Sequence, residues 1–440
     1  MRHNKEEFMR TMKRVAAVAL SVVVLMTSGV SAKAAVTDVQ PAKSSSEAVL
    51  KWAKKVGEPF DEKTYANNTV SKIKLVGNYL YVADDAKHRI MKIDKKDGTI
   101  LKEQKYYDES YIQGYVSSIG YGDNKVYVGY DNGRVQAFDE NTLESLWITD
   151  ENKNAINADF VFTNGKLYFG TTAKTTDWYD NGAPFSYYVV TTSDDDKTKP
   201  DEEKTMKKVV ESKTGKFYSK KGVVLGKYIV ISDTAGTLTM IDTTNDKVTD
   251  TKDIGEAFSG NITYDEMTGT IYFVAGTNDL YGIKVSADGK LKDEKKVRLY
   301  ETGYSATTPE VYNGKVYVSG SKGKAFQDKG YMAVADVSSD KYKVNYTVEL
   351  SNYSQCEPTI VKTGENSVRV YFTINDEPGG IYAIEDSKDA TSATLETVYE
   401  PTGDIKNTGC MSDVVVDEDG TIYFANDSKY IMSVGKKVED

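Results

Sequence analysis

Apolar and polar positions alternate in short runs through most of the chain, and the runs recur in sets. The triplets at Leu80–Val82, Val126–Val128, Leu167–Phe169, Tyr228–Val230, Ile271–Phe273, Val316–Val318, Val370–Phe372 and Ile422–Phe424 read LYV, VYV, LYF, YIV, IYF, VYV, VYF and IYF. Their middle residues are separated by 46, 41, 61, 43, 45, 54 and 52 positions. Branched aliphatics and tyrosine favour the pleated sheet. Repeats of roughly 40–50 residues with about four strands each predict an all-β, eight-bladed propeller of four-stranded antiparallel blades.

The units share one internal grammar. A short first strand meets a Gly, Asn or Asp turn, as at Asn164–Lys166, Asn313–Lys315 and Asp419–Thr421. Such residues reach the positive φ of a tight hairpin at little cost. The tyrosine strand follows, then a variable loop, then a third strand that often closes on aspartate, as in RIMKID (Arg89–Asp94), VQAFD (Val135–Asp139) and TLTMID (Thr237–Asp242). A more polar fourth strand, such as ESLWITD (Glu144–Asp150) or KYKVNYTVEL (Lys341–Leu350), suits an exposed rim. The last unit stops after its third strand. The missing piece stands at the other end, where EAVLKWAKKVG (Glu47–Gly57) matches a fourth strand with no unit before it. The expectation is a ring in which this N-terminal strand completes the eighth blade; the rival is an open solenoid with both ends uncapped.

The N-terminus sets the compartment. Arg2, Lys5, Arg10, Lys13 and Arg14 precede an apolar run at Val15–Ala32, and Ala32–Ala34 is a small-residue cleavage signal. This predicts a signal peptide over residues 1–34, a linker over 35–46 and the propeller over 47–440, in a protein that is secreted or associated with the cell envelope. The alternative is a retained membrane anchor, for which the apolar run is short. Residues 1–34 hold six Lys/Arg and two Glu, which leaves 50 basic and 64 acidic groups in the mature chain, a net of −14. That charge disfavours nucleic acid and anionic membrane surfaces as partners. The 32 tyrosines suit strands and extracellular binding surfaces alike.

With its repeat count and the D-x-x-T-x-x-x-L-W ending at Asp139–Trp147, the chain resembles the PQQ-like repeat propellers. That superfamily includes quinoprotein alcohol dehydrogenases and the non-enzymatic propeller of outer-membrane barrel assembly. The stretches Lys125–Trp147, Thr308–Val318 and Val414–Gly435 further resemble secreted Gram-positive bacterial propellers of unassigned function. The resemblance implies a fold and leaves activity open.

Chemistry of the quinoprotein kind would bring a vicinal disulfide and a calcium held by Glu, Asn and Asp. Cys356 and Cys410 are 54 residues apart and form no vicinal pair, and only Trp52, Trp147 and Trp178 represent tryptophan. His88 is the one histidine of the mature chain, in the loop Asp84–Arg89, and reads as a loop residue rather than a general base. Triads and zinc sites need more histidine or cysteine than this. The acidic run Ser193–Lys204 lacks the alternation of a calcium loop and reads as a solvated insertion, and Asp417–Gly420 reads as a turn. No catalytic residue, metal or cofactor is predicted.

The expected activity is binding. Aromatic residues stand before the predicted first strands at Tyr115, Tyr218, Phe258, Tyr304 and Tyr353, four of them followed directly by serine. First strands line a propeller's channel, so these five are expected at one channel mouth. Loops between second and third strands open on the same face and add Trp178, Tyr179, Phe185 and Phe326. Rigid aromatics around a concavity suit a glycan or an extended peptide, although the aromatic–serine pairs also suit wedging between blades. Cys356 and Cys410 precede first strands in consecutive blades and are expected to form a disulfide at this mouth. The leading expectation is thus a secreted, monomeric, non-enzymatic propeller binding an extracellular protein or glycan. A PQQ-dependent oxidoreductase and a structural scaffold in a cell-envelope complex are the alternatives.

Overall fold

The computed structural model describes residues 39–57, 70–107, 119–157, 159–174, 183–195, 203–217, 221–324, 328–407 and 409–437. Each sequence unit becomes one antiparallel sheet, ordered from the axis outward as in the chain. Blade 1 contains Lys74–Val76, Tyr79–Asp84, Arg89–Asp94 and Ile100–Lys105. The innermost strands of blades 2 to 7 begin at Gly120, Val161, Val223, Thr263, Glu310 and Thr359. Blade 8 is assembled from Val415–Val416, Ile422–Ala425, Tyr430–Lys436 and, as its outermost strand, Ala48–Lys55. Ala48 pairs with Lys436 and Lys55 with Tyr430, so the ring closes by strand exchange between the two ends of the propeller.

Local chemistry accounts for the turns. Asn164 and Gly165 sit at φ 53° and 68°, and Asn313 and Gly314 at 48° and 75°, the paired positive values of a hairpin whose twist matches its strands. The aspartates that end third strands cap the next turn. Asp94 Oδ1 accepts from Lys96 N at 2.8 Å, Asp139 Oδ1 from Asn141 N at 2.8 Å and Asp242 Oδ1 from Thr244 N at 2.9 Å. The hydrogen bonds to Asp242 hold its carboxyl down at about 2, first from the Lys227 ammonium and then from Thr244.

Packing lies in the seams between blades. Val223, Val230 and Met240 of blade 4 meet Ile271, Phe273 and Ile283 of blade 5, and equivalent clusters bridge every other consecutive pair. No single blade has a core of its own, so each is stable only between neighbours.

The recurrent tyrosine has a specific use in these seams. Its ring is buried in its own seam and its hydroxyl reaches the next blade: Tyr81 donates to Glu140 O (2.7 Å), Tyr168 to Asp246 Oδ1 (2.6 Å) and Tyr317 to Asp386 Oδ2 (2.7 Å). Tyr423 of blade 8 donates to Lys95 O of blade 1 at 3.2 Å, across the closure. Tyr371 of blade 7 donates to Ala42 O at 3.2 Å. Blade 8 has its chain break where the other blades have a third-to-fourth-strand turn, and the segment before Ala48 takes over that turn's role. Much of the tyrosine enrichment is therefore seam chemistry: an apolar ring fills the gap and its polar tip finds a fixed acceptor.

The end of the acidic insertion takes part in a sheet. Glu203–Lys204 adds a parallel strand to the outer edge of blade 2, against Ser145–Thr149. Lys204 Nζ sits 4.8 Å from the Trp147 ring centroid and donates to Thr191 O at 2.6 Å, so the end of the acidic run covers an exposed sheet edge.

Candidate binding face

The two faces of the ring differ. One carries two-residue hairpins, such as Gly77–Asn78 and Asp123–Asn124, together with the aspartate-capped turns. The other carries the connections from second to third strands and from fourth strands to the next first strand, the latter including residues 254–262, 299–309 and 351–358. These lead-in segments lie along the ends of second strands, as the bridges Ala155–Thr172, Phe258–Ala275 and Tyr304–Ser321 record. Close approach around the axis needs small residues: a Cβ on Gly260 would stand 2.1 Å from Thr307 O in the next blade.

Charged side chains from six blades converge at the axis on this face. Lys72 and Lys74 belong to blade 1, Asp159 to blade 3, Lys221 to blade 4, Glu310 to blade 6, Glu357 to blade 7 and Asp413 to blade 8. Each stands just before, or at the start of, its innermost strand, so the group rings the channel mouth. Lys72 Nζ pairs with Asp413 Oδ2 at 3.1 Å, both side chains about a quarter exposed. The Asp413 carboxylate also accepts from Glu357 N at 2.7 Å, tying blade 7 to blade 8.

Electrostatics couples the group. Burial pushes the Glu310 carboxyl well up, and the neighbouring Glu357 carboxylate adds to this. Burial acts the same way on Glu357, but the ammoniums of Lys221 and Lys72 outweigh it and hold that carboxyl low. The two carboxyls hydrogen-bond, so Glu310 keeps a proton and Glu357 is ionised. Burial, followed by repulsion from Lys221, lowers Lys74 to about 8. Glu357, despite burial, raises Lys221. Three lysines thus face four carboxyl groups, and burial pushes the Asp159 carboxyl up against the pull of Lys72 and Lys221.

The expected aromatic mouth is only partly within view. Tyr115, Trp178, Tyr179, Tyr218 and Phe326 lie outside the described residues. Phe258 is buried against Phe273, ring centroids 4.6 Å apart. Phe185 is not in a loop: it opens the strand Phe185–Thr191 and is buried in the seam between blades 3 and 4. Tyr304 and Tyr353 are half-buried. The Tyr304 hydroxyl hydrogen-bonds Ser259 of the preceding lead-in, and Tyr353 accepts from Asn375 Nδ2. The serines stitch strand ends: Ser305 Oγ donates to Ser319 O at 2.7 Å, and Ser319 Oγ meets Ser354 Oγ of the next blade at 3.1 Å. The described aromatic–serine pairs thus wedge the ring.

Two further placements matter. Cys356 and Cys410 are free thiols and no bond joins them, in contrast to the expected disulfide. Each sulfur is engaged by backbone of its own blade: Cys356 Sγ accepts from Thr373 N at 3.2 Å, and Cys410 Sγ donates to Ala425 O at 3.5 Å. Burial pushes both thiols up, Cys410 further through its proximity to Cys356. His88 adopts φ 48° in its loop and packs edge-on against Tyr106.

Sequence reasoning missed the axial charges because they are spread over some 340 residues. A faint signal exists: Lys72 and Asp159 each stand nine positions before the middle residue of their blade's triplet. The donor set does not fit a quinone with calcium. Lysines interleave with the carboxylates, no three His, Cys, Asp or Glu side chains are grouped so as to hold a metal ion among the described residues, and the cysteines belong to separate blades.

No protein-family model matches this chain, and no curated protein matches it. Among solved structures, BamB from Moraxella catarrhalis is similar with a TM-score of 0.60 and 13% identity, covering 89% of this chain and 99% of that one. Quinohemoprotein alcohol dehydrogenase from Comamonas testosteroni gives 0.62 at 10% identity, over 89% and 77% of the two chains. The computationally designed Ika8 protein gives 0.55 at 10% identity, over 90% and 100%. At such identity the likeness concerns the fold, an eight-bladed propeller of the kind found in BamB and the PQQ-dependent dehydrogenases.

Proposed function

We propose that this protein is a secreted, non-enzymatic binding propeller that docks an extracellular protein or glycan on the face formed by its long connections. The observation that carries this reading is the convergence of charged side chains from six blades at the channel mouth on that face, while the opposite face consists of tight, internally capped turns. Fixed charges held together at one mouth project a patterned potential, which favours selective recognition over general adhesion. Trp178, Tyr179 and Phe326 belong by sequence to connections of the same face and would serve as apolar anchors around the charged centre. Export rests on the basic and apolar pattern of residues 1–34.

The test uses the purified mature protein on a glycan array and against a fractionated cell envelope. Trp178→Ala and Lys221→Glu are compared with Lys96→Ala on the opposite face. Binding that falls about tenfold or more in the first two variants, and holds in the third, supports the assignment. Equal binding by all three overturns it. Reduction of a dye on alcohols after addition of pyrroloquinoline quinone and calcium would overturn the non-enzymatic part.

A further inference from the structure

We infer that the channel mouth is a receptor site for a small zwitterion of the free α-amino acid class, whose carboxylate bridges Lys74 and Lys221 and whose ammonium is received by Asp159 and Glu310. This goes beyond partner docking: it assigns a small-molecule site at the centre of the docking face. Two features of the mouth call for a ligand. Asp159 and Glu310 are only 5% and 2% exposed, yet Asp159 Oδ1 and Glu310 Oε1 have no hydrogen-bond donor among the described residues. Asp159 interacts with Lys72 and Lys221 from two other blades, so its carboxylate faces the axis rather than a seam. A buried acceptor left without a donor costs stability and is rare in a settled interior.

The second feature is the lysine pair. Lys74 and Lys221 repel each other, and among the described residues no carboxylate stands within ion-pair distance of Lys74. An anionic group between them would relieve that repulsion, and its binding would draw a proton onto Lys74 at mildly alkaline pH. The charge balance narrows the class. Three lysines stand against four carboxyls, two of which hydrogen-bond each other, so the cluster is close to balance and a simple anion or cation would add excess charge among side chains as buried as Asp159 and Glu310. A ligand carrying both charges on a short skeleton answers both vacant positions and keeps the balance. The mouth supplies both lysine donors and carboxyl acceptors, interleaved around the axis, as recognition of an ammonium and a carboxylate requires.

The experiment is calorimetric titration and thermal shift of the mature protein with the proteinogenic α-amino acids at up to about 10 mM, a range that reveals sub-millimolar binders. Each is compared with the matching carboxylic acid lacking the amine and the matching amine lacking the acid. The expected result is saturable binding of at least one amino acid, weakened about tenfold or more in either single-charge analogue and in both Lys74→Gln and Asp159→Asn. Lys74→Gln removes a repulsion and should fold normally, so the test survives if Asp159→Asn does not. Above pH 8, proton uptake on binding is expected in the native protein and lost in Lys74→Gln. Absence of binding by every amino acid, or binding unchanged in Lys74→Gln, overturns the proposal. Either failure leaves macromolecular docking intact if the array and envelope experiments still respond to Trp178→Ala.

Discussion

Asp386 offers the sharpest probe of how the ring is held together. Its carboxylate, 2% exposed, lies in the seam between blades 6 and 7 and receives Lys315 Nζ at 2.9 and 3.1 Å, the Tyr317 hydroxyl at 2.7 Å and the Tyr346 hydroxyl. Asp386→Ala strands a buried ammonium and two hydroxyls at once. Removing one partner of a buried ion pair costs about 3–5 kcal/mol, because the remaining charge loses compensation without regaining water. For the roughly 350 described residues the unfolding entropy is about 0.7 kcal/mol/K, so this corresponds to a Tm lowered by about 4–7 °C. Replacing both partners, as in Lys315→Met with Asp386→Leu, should recover most of the loss, since an apolar pair of similar volume has no desolvated charge to compensate. The assay is a double-mutant cycle by urea unfolding and calorimetry, with an expected coupling above about 2 kcal/mol. A loss below about 1 kcal/mol for Asp386→Ala, or additive single effects, would refute the claim that the seam excludes water around this carboxylate.

Other consequences follow from the same seams and channel. Lys74, folded at about 8 against an ordinary 10.5, binds fewer protons in the folded state between those values, so its contribution to stability rises with pH across that window and is unfavourable below it. Lys74→Met should therefore raise Tm at pH 7 and flatten the rise that the unmodified protein shows from pH 8 to 10.5; Asp159, Glu357 and Lys221, which face Lys74, remain in place as the comparison. Gly260→Ala should destabilise the ring by about 1–3 kcal/mol in urea titration through the contact with Thr307 O, with the circular dichroism spectrum unchanged. Deleting residues 1–57 removes the partner of Tyr430–Lys436, and light scattering should report aggregation through the bared edge. Cys356 and Cys410, buried and pushed up, should resist a thiol reagent at pH 8 until denaturant is added; a Cys356–Cys410 crosslink in a non-reduced peptide map would contradict the free thiols described here.

The repeat could be read from the chain because its causes are local. Strand alternation at Tyr79–Asp84, the Asn-Gly hairpin at Asn313–Gly314 and the aspartate cap at Asp242 each depend on a few adjacent residues. Even ring closure was legible, since an unpaired fourth-strand pattern at Glu47–Gly57 and an incomplete last unit need each other. Phe185 was less readable: a loop aromatic by its surroundings, it is a seam residue because the strand begins earlier than the turn chemistry suggested. The two cysteines occupy corresponding places in neighbouring blades, yet correspondence in a repeat does not set the direction in which each sulfur points, and each found a backbone partner instead.

By itself, then, the order of amino acids determined eight blades, their strand grammar and the way the two ends meet, because those depend on alternation, turns and pairing between short segments. Only the tertiary structure decided why the tyrosines recur and where charge collects. Tyr168 needs the carboxylate of Asp246, and Lys72 needs that of Asp413 at the far end of the chain. Coulomb and hydrogen-bond energies depend on distance in space, and until the ring closes the distance along the chain says nothing about it.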